Sequence, residues 1–471
     1  MAHSCTSSRT LHADGMAETL APSAMAGALR SRVVGRAGTL VLIALVFAAM
    51  TSACSQSGDE KGKGDDSSRA EDVAAPGADV VTLVPDGTTL EPADWNAGDV
   101  APDAAADSGA DGSGTPVPPP ATFYKTPWLQ WPVPGQVTFL AETKEEVPLL
   151  LKLSWNGGQT ELQTVPVKLK FDFMGIEMPT FAGWFHEVVL PVPVEVPDFD
   201  IEVVNGGFSR HVELPQFIPL SRMILFGDTR TDHAAHQAVA DLILAEQSPL
   251  VLQTGDLTEG GSILTNWDKF FEIEGPMLWS SFYFPTFGNH EAFGEGYFEA
   301  LFESGNNHLH ERNWWVDLGD LGIINIDQYA TNWASAEALA WFEDAATKLA
   351  DKQWLFVTMH EPFYTFSNHL PWSLGRTHVQ PLIEKYGVDL VVSGHNHLYE
   401  RFEVNGIPYV VTGGGGAPLY GPDEATGGDA EYLVVAASMH HYVRLDFGPN
   451  VIHVTVINSD TNEVFEEFDI E

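Results

Sequence analysis

From residue 222 onward, short runs with no polar position alternate with longer stretches whose apolar residues fall three and four apart. Met223-Ile224-Leu225-Phe226, Leu250-Val251-Leu252, Phe282-Tyr283-Phe284, Ile323-Ile324, Trp354-Leu355-Phe356-Val357 and Leu390-Val391-Val392 are of the first kind and read as strands buried on both faces. Residues 232–246, with Val239, Leu242 and Ile243, and residues 336–350 are of the second kind and read as helices. Strands alternating with helices predict a layered α/β domain over residues 220–471. Residues 122–219 differ. Runs at 136–140, 149–153, 165–171, 186–190 and 201–204 alternate or are β-branched, with Gly, Pro and Asn between them about every ten residues, which predicts a small antiparallel β-sandwich.

The stretch 55–121 follows neither pattern. It is rich in Asp, Ala, Gly, Ser and Pro, cannot offset its ordering entropy by burial, and reads as a disordered acidic tether. Before it stands the apolar run 40–50, preceded by Arg30, Arg32 and Arg36 and followed by Thr51-Ser52-Ala53-Cys54. Residues 1–54 therefore read as a secretory signal, with Met25 an alternative start that gives the basic region ordinary proportions. The pattern is that of a bacterial lipoprotein, lipidated at Cys54 and so anchored in the cell envelope, with cleavage near Ala53 and release as the alternative. Cys5 and Cys54 are the sole cysteines, so the chain after the signal holds no internal disulfide. The net charge of −42 argues against a nucleic-acid-binding surface.

What the α/β strands lead into carries the chemistry. They end in Gly227-Asp228, Gly255-Asp256, Gly288-Asn289-His290-Glu291, His360, and Gly394-His395-Asn396-His397. Open α/β sheets place ligands at the carboxyl ends of their strands. Five endings that bear carboxylate, amide and imidazole groups, and no thiolate, fit two ions of the Mn, Fe or Zn kind. His186 and His211 lie in the predicted sandwich without acidic or histidine neighbours at useful spacing, and read as strand or surface residues that bind nothing.

In their order and spacing these blocks resemble those of the calcineurin-like metallophosphoesterases, and the surrounding residues 313–319, 386–401 and Thr412-Gly-Gly-Gly-Gly416 resemble the purple acid phosphatase branch. The resemblance implies a four-layer αββα sandwich, preceded, as in plant-type members, by a small fibronectin III/Ig-like β-sandwich. It implies that Asp228 and His397 bind a first metal ion, that Asp256 bridges, and that Asn289, His360 and His395 bind a second. His290 matches the histidine that contacts the phosphate and protonates the leaving alkoxide; His369 matches a further substrate-side histidine. A hydroxide held between the two ions would then attack phosphorus.

The chain departs from the pattern at two positions. Where the wider superfamily has a His ligand it carries Arg230, which cannot ligate a metal but can hold a phosphate bidentately. Where the purple branch has the tyrosine that binds iron it carries Glu259, a carboxylate able to replace that ligand or to remain solvated. The expected function is hydrolysis of small phosphate monoesters. A phosphodiesterase acting on nucleotides or lipid head groups, and a non-catalytic surface binding protein on a degenerate site, are the alternatives.

Overall fold

The computed structural model describes residues 117–471 except 174–175, 293, 303–307, 310–311 and 423–428. The expected signal, Cys54 anchor and most of the tether lie outside these residues. Among the described residues no helix is long and apolar enough to cross a membrane.

Two sheets form the middle of the α/β part. One has six strands, in the spatial order Phe282–Pro285, Leu250–Gln253, Arg222–Phe226, His441–Phe447, Ile452–Asn458 and Glu463–Ile470, the first three parallel and the rest antiparallel. The other has eight, and Leu321–Asn325, Trp354–Thr358, Leu390–Ser393 and Ile407–Thr412 run parallel through its centre. Successive side chains on a strand face opposite ways, so each apolar run serves two cores. Met223, Leu225, Leu250, Leu252 and Phe284 meet Ile323, Phe356, Leu390 and Val392 between the sheets. Ile224, Phe226, Val251 and Tyr283 face outward onto the helices His233–Ala245 and Leu264–Ser280 through Val239, Ile243, Trp267 and Phe270. On the far side Ile324, Val357 and Val391 face Phe342, Ala345 and Ile383 of the helices Ala336–Lys348 and Gln380–Tyr386. The result is helix, sheet, sheet, helix. Each side chain of Leu or Phe size so buried contributes about 1.5–3 kcal/mol.

Upstream, a three-stranded sheet (Phe123–Gln130, Thr138–Thr143, Trp184–Val189) and a four-stranded one (Gly158–Gln163, Leu150–Trp155, Asp198–Val203, Phe208–Glu213) make the all-β part. Its inward residues Leu129, Phe139, Leu151, Ile201 and Val212 belong to the same continuous core that fills the space between the two large sheets. Of the run expected as a strand over 165–171, the structure keeps Phe171–Phe173 and a single bridge from Val167 to Phe185. Pro166 has no N–H to give a ladder, and Val165 and Val167 point to solvent. His186 is buried on its strand between the hydroxyls of Thr143 and Thr164, at 2.9 and 2.6 Å. His211 is exposed and pairs with Asp200 on the adjacent strand.

Candidate metal centre

Because Arg222–Phe226, Leu250–Gln253 and Phe282–Pro285 run parallel, the loops after them emerge side by side, and those after Trp354–Thr358 and Leu390–Ser393 do the same on the facing sheet. Backbone bonds tie the loops into one bed. Asp228 N donates to Gly255 O at 3.0 Å, Gly394 N to His360 O at 2.9 Å, and His395 N crosses between the sheets to Asp228 Oδ2 at 2.9 Å. Asp228, Asp256 and His395 all have positive φ, of 58°, 56° and 70°. Such backbone costs a non-glycine residue on the order of 1–3 kcal/mol and persists where the surroundings hold it, as ligand loops do.

The ring hydrogen bonds decide which imidazole atoms face the site. His360 Nδ1 donates to Thr254 O at 2.8 Å, His397 Nδ1 to Pro418 O at 2.8 Å and His290 Nδ1 to Glu259 O at 2.7 Å, since a carbonyl can only accept. Each Nε2 is therefore turned inward. His360 Nε2 lies 3.3 Å from Asp256 Oδ1, 3.1 Å from Asn289 Oδ1 and 3.2 Å from His395 Nδ1. One proton cannot serve three acceptors in three directions. An ion can, since ligand atoms ~2.0–2.1 Å from a tetrahedral metal stand roughly 3.3–3.4 Å from one another. The three distances from His360 Nε2, to Asp256, Asn289 and His395, are each those of neighbouring ligands around one ion.

Charge agrees with this fit. Burial opposes a charge on His360, but the Asp256 carboxylate and, behind it, Asp228 push it up to about 10, so an ion bound there would take the place of the ring's Nε2 proton. Burial also opposes ionisation of Asp256, yet His360, His290 and Arg230 hold its carboxyl well below the usual range. Burial raises Asp228, whose Oδ1 has no hydrogen-bond partner among the described residues. Burial keeps His397 down at about 4 and, with the neighbouring His360, holds His395 well below its ordinary value; neutral imidazole is the form that binds metal.

On the first-ion side, Asp228, Asp256 and His397 offer ligand atoms within 4.8 Å of one another. Arg230 is there too. Its Nε donates to Asp256 Oδ2 at 3.1 Å and its Nη2 to His397 Nε2 at 3.2 Å. Its Nη1 donates to Glu259 Oε2 at 3.2 Å, and the same carboxylate oxygen accepts from the Thr231 hydroxyl. Glu259 is half exposed and does not join the three ligand side chains. His290 enters from the open side, its Nε2 3.9 Å from Asp256 Oδ2 and its N–H on Asp256 Oδ1 at 3.0 Å. His369 packs its ring on His395 with centroids 4.1 Å apart, and its N–H donates to Asn396 Oδ1 at 3.0 Å.

Two residues to which the motifs assign no part also act here. Glu291, fully buried, accepts from the N–H groups of Asp256, Gly288 and Thr258 at 3.0, 2.9 and 3.1 Å, and so binds the second block to the third. Tyr420 stacks on the His397 ring, centroids 4.1 Å apart at 18°. Its place depends on the glycine run, where Gly415 N and Ala417 N donate to Gly227 O and Asp228 O, each at 2.8 Å. Glu291 is visible in its motif as an acid next to a ligand; nothing local marks Tyr420.

The glycines inside the blocks are needed for room. A Cβ on Gly255, which has φ +103°, would stand 2.5 Å from His360 Nδ1, and one on Gly394 would stand 2.4 Å from Asp228 Oδ2 and 2.6 Å from Thr254 Oγ1. Gly394→Ala is expected to destabilise the fold by about 1–3 kcal/mol and, by moving Asp228 and His395, to weaken metal binding by at least roughly tenfold. Calorimetric titration with Zn²⁺ beside a thermal melt checks this; unchanged affinity would mean the loops have slack.

Residues 221–399 match the family described as calcineurin-like phosphoesterase. The chain is 27% identical over 169 residues to purple acid phosphatase 18 of Arabidopsis thaliana, covering 32% of this chain and 38% of the relative. With the phosphoenolpyruvate phosphatase of Allium cepa it shares 29% over 203 residues, 37% of this chain and 40% of the relative. Each match thus spans less than half the relative's length. A purple acid phosphatase from yellow lupin (Lupinus luteus) seeds superposes with a TM-score of 0.61 over 75% of this chain and 74% of that one, at 17% identity, a likeness of fold. With five strand-end blocks around one bed of carboxylate, amide and imidazole, residues 221–399 form a calcineurin-like phosphoesterase domain, and the sequence around them is similar to that of purple acid phosphatases.

Proposed function

We propose that this protein hydrolyses small phosphate monoesters with the help of metal bound at this centre. The observation that carries the reading is the convergence of Asp256 Oδ1, Asn289 Oδ1 and His395 Nδ1 on His360 Nε2, with His290 on the open side. An ion of the Mn, Fe or Zn kind held there would polarise a phosphoryl oxygen and acidify a water. The protein's own groups do the rest. With Nδ1–H committed to Glu259 O, His290 would act as an imidazolium whose Nε2 proton passes to the leaving alkoxide, the ring ending neutral. Arg230 has five N–H groups and bonds Asp256, Glu259, His397 and Tyr420, which leaves a donor for a phosphoryl oxygen. His369, fixed by Asn396, flanks the same opening and would steady another oxygen. Secretion and anchoring at Cys54 belong to the same proposal.

Protein stripped with chelator and reloaded with Zn²⁺, Mn²⁺ or iron, assayed on p-nitrophenyl phosphate and on bis(p-nitrophenyl) phosphate, tests it. Turnover of the monoester, lost with the metal and restored with it, is expected. Preference for the diester would favour the phosphodiesterase reading. No turnover of either compound with metal bound would leave a binding protein.

A further inference from the structure

We propose that the Arg230 guanidinium stands where the first ion of a two-ion centre would stand, so that this chain binds one metal ion, at Asp256, Asn289, His360 and His395. The proposal rests on the reading of this site as a metal-dependent centre. The three side chains able to hold an ion on the first side are Asp228, Asp256 and His397. Arg230 is bonded to two of them, at 3.1 Å through Nε and 3.2 Å through Nη2. The His397 contact is informative because Nδ1 of that ring is committed to Pro418 O, so Nε2 can offer the guanidinium only its lone pair, the one a metal would use.

The guanidinium is also held in place. Glu259 takes Nη1 and is itself fixed by the Thr231 hydroxyl, while Tyr420, stacked on His397, closes the side of the site that its ring covers. Arg230 retains 14% of its side-chain exposure, so a metal would have to displace a largely buried cation tied at three nitrogens. Charge points the same way. Guanidinium remains protonated at any physiological pH, and it lies directly against the carboxylate that a first ion would share with a second. Asp228 and Asp256 then have one permanent positive charge to face, and a divalent ion entering beside it is repelled. Glu259 becomes the positioning residue of Arg230 and is no metal ligand.

Ion counting tests this independently of turnover. The full chain, stripped and then titrated with Zn²⁺ or Mn²⁺, is followed by calorimetry and by elemental analysis. One ion per chain is expected in the unaltered protein, one in His397→Ala, and none at micromolar metal in His395→Ala. Arg230→His, which supplies a neutral imidazole, is expected to bind two, with Arg230→Ala as a second variant should the first misfold. Two ions in the unaltered protein, loss of the ion in His397→Ala, or no gain in either Arg230 variant would overturn the proposal. One ion without turnover of any phosphate ester would sink the functional reading alone; two ions with turnover would sink this one alone.

Discussion

Asp256→Asn is expected to bind no metal and to turn over substrate at less than roughly a thousandth of the normal rate, a loss of about 4 kcal/mol in transition-state stabilisation. The two carboxylate oxygens face different ways, Oδ1 toward His360 Nε2 and the His290 N–H, Oδ2 toward Arg230 Nε. An amide has one oxygen. Whichever way it sits, its NH₂ meets a donor, either the His290 N–H or Arg230, and the charge that attracts the ion is gone. The metal-free fold should be weakened as well, because Arg230 and His360 lose the buried carboxylate they face. The informative readout is the melting temperature with and without metal. A ligand at a hundredfold excess over Kd stabilises by about 2.7 kcal/mol. That increment should vanish in Asp256→Asn, whatever the lower starting point of its metal-free melt. An undiminished metal-induced shift would remove Asp256 from the ligand set.

His290→Ala should keep its metal and lose roughly 10²–10⁴ in rate, the usual span for a general acid. No ligand atom is deleted, since His290 Nε2 is 3.9 Å from the nearest carboxylate oxygen and its N–H bond to Asp256 Oδ1 belongs to the backbone. The loss should be steepest for alkyl phosphates, whose leaving alkoxides need a proton, and mildest for p-nitrophenyl phosphate. Equal losses across leaving groups would mean that His290 orients the phosphate without protonating anything.

The strand-end blocks were legible because their information is local: an apolar run of four or five residues and the polar block that follows it lie within about ten positions. Asp228, Asp256, Asn289, His360, His395 and His397 therefore fall at strand ends on the sequence alone. Contacts between residues far apart in the chain were not legible. Nothing near Arg230 says that its guanidinium will reach His397, 167 residues on, or that Glu259 will hold Arg230 instead of facing a metal. Among the elements, the first strand, Phe123–Gln130, hides behind Pro127 and a fully buried Lys125. The helix Leu264–Ser280 carries Trp267, Phe270, Phe271 and Glu274 at helical spacing, but Gly275 and Pro276 interrupt it. Tertiary packing overrides such local signals.

Lys125 and Trp128, on that first strand, have a bearing on how the chain folds. Lys125 Nζ is bonded to Glu142 within the β-sandwich at 2.5 Å and to Asp268 on the Leu264–Ser280 helix at 3.0 Å; Trp128 packs on Phe271 and donates through Nε1 to Leu301 O. Arg210 reaches Trp279 O, and Gln216 reaches Asp317 O. The seam between the all-β part and the α/β part is thus interior, not a hinge. A fragment begun at residue 220 would expose the apolar faces that Leu129, Trp131 and Phe139 cover and would strand Asp268 without its ammonium partner. The two parts should therefore unfold in one cooperative transition, with no window of temperature or denaturant in which one outlives the other. For engineering, the sandwich is neither a detachable tag nor a graftable module: the loops of the candidate site owe part of their stability to a strand about a hundred residues before Asp228.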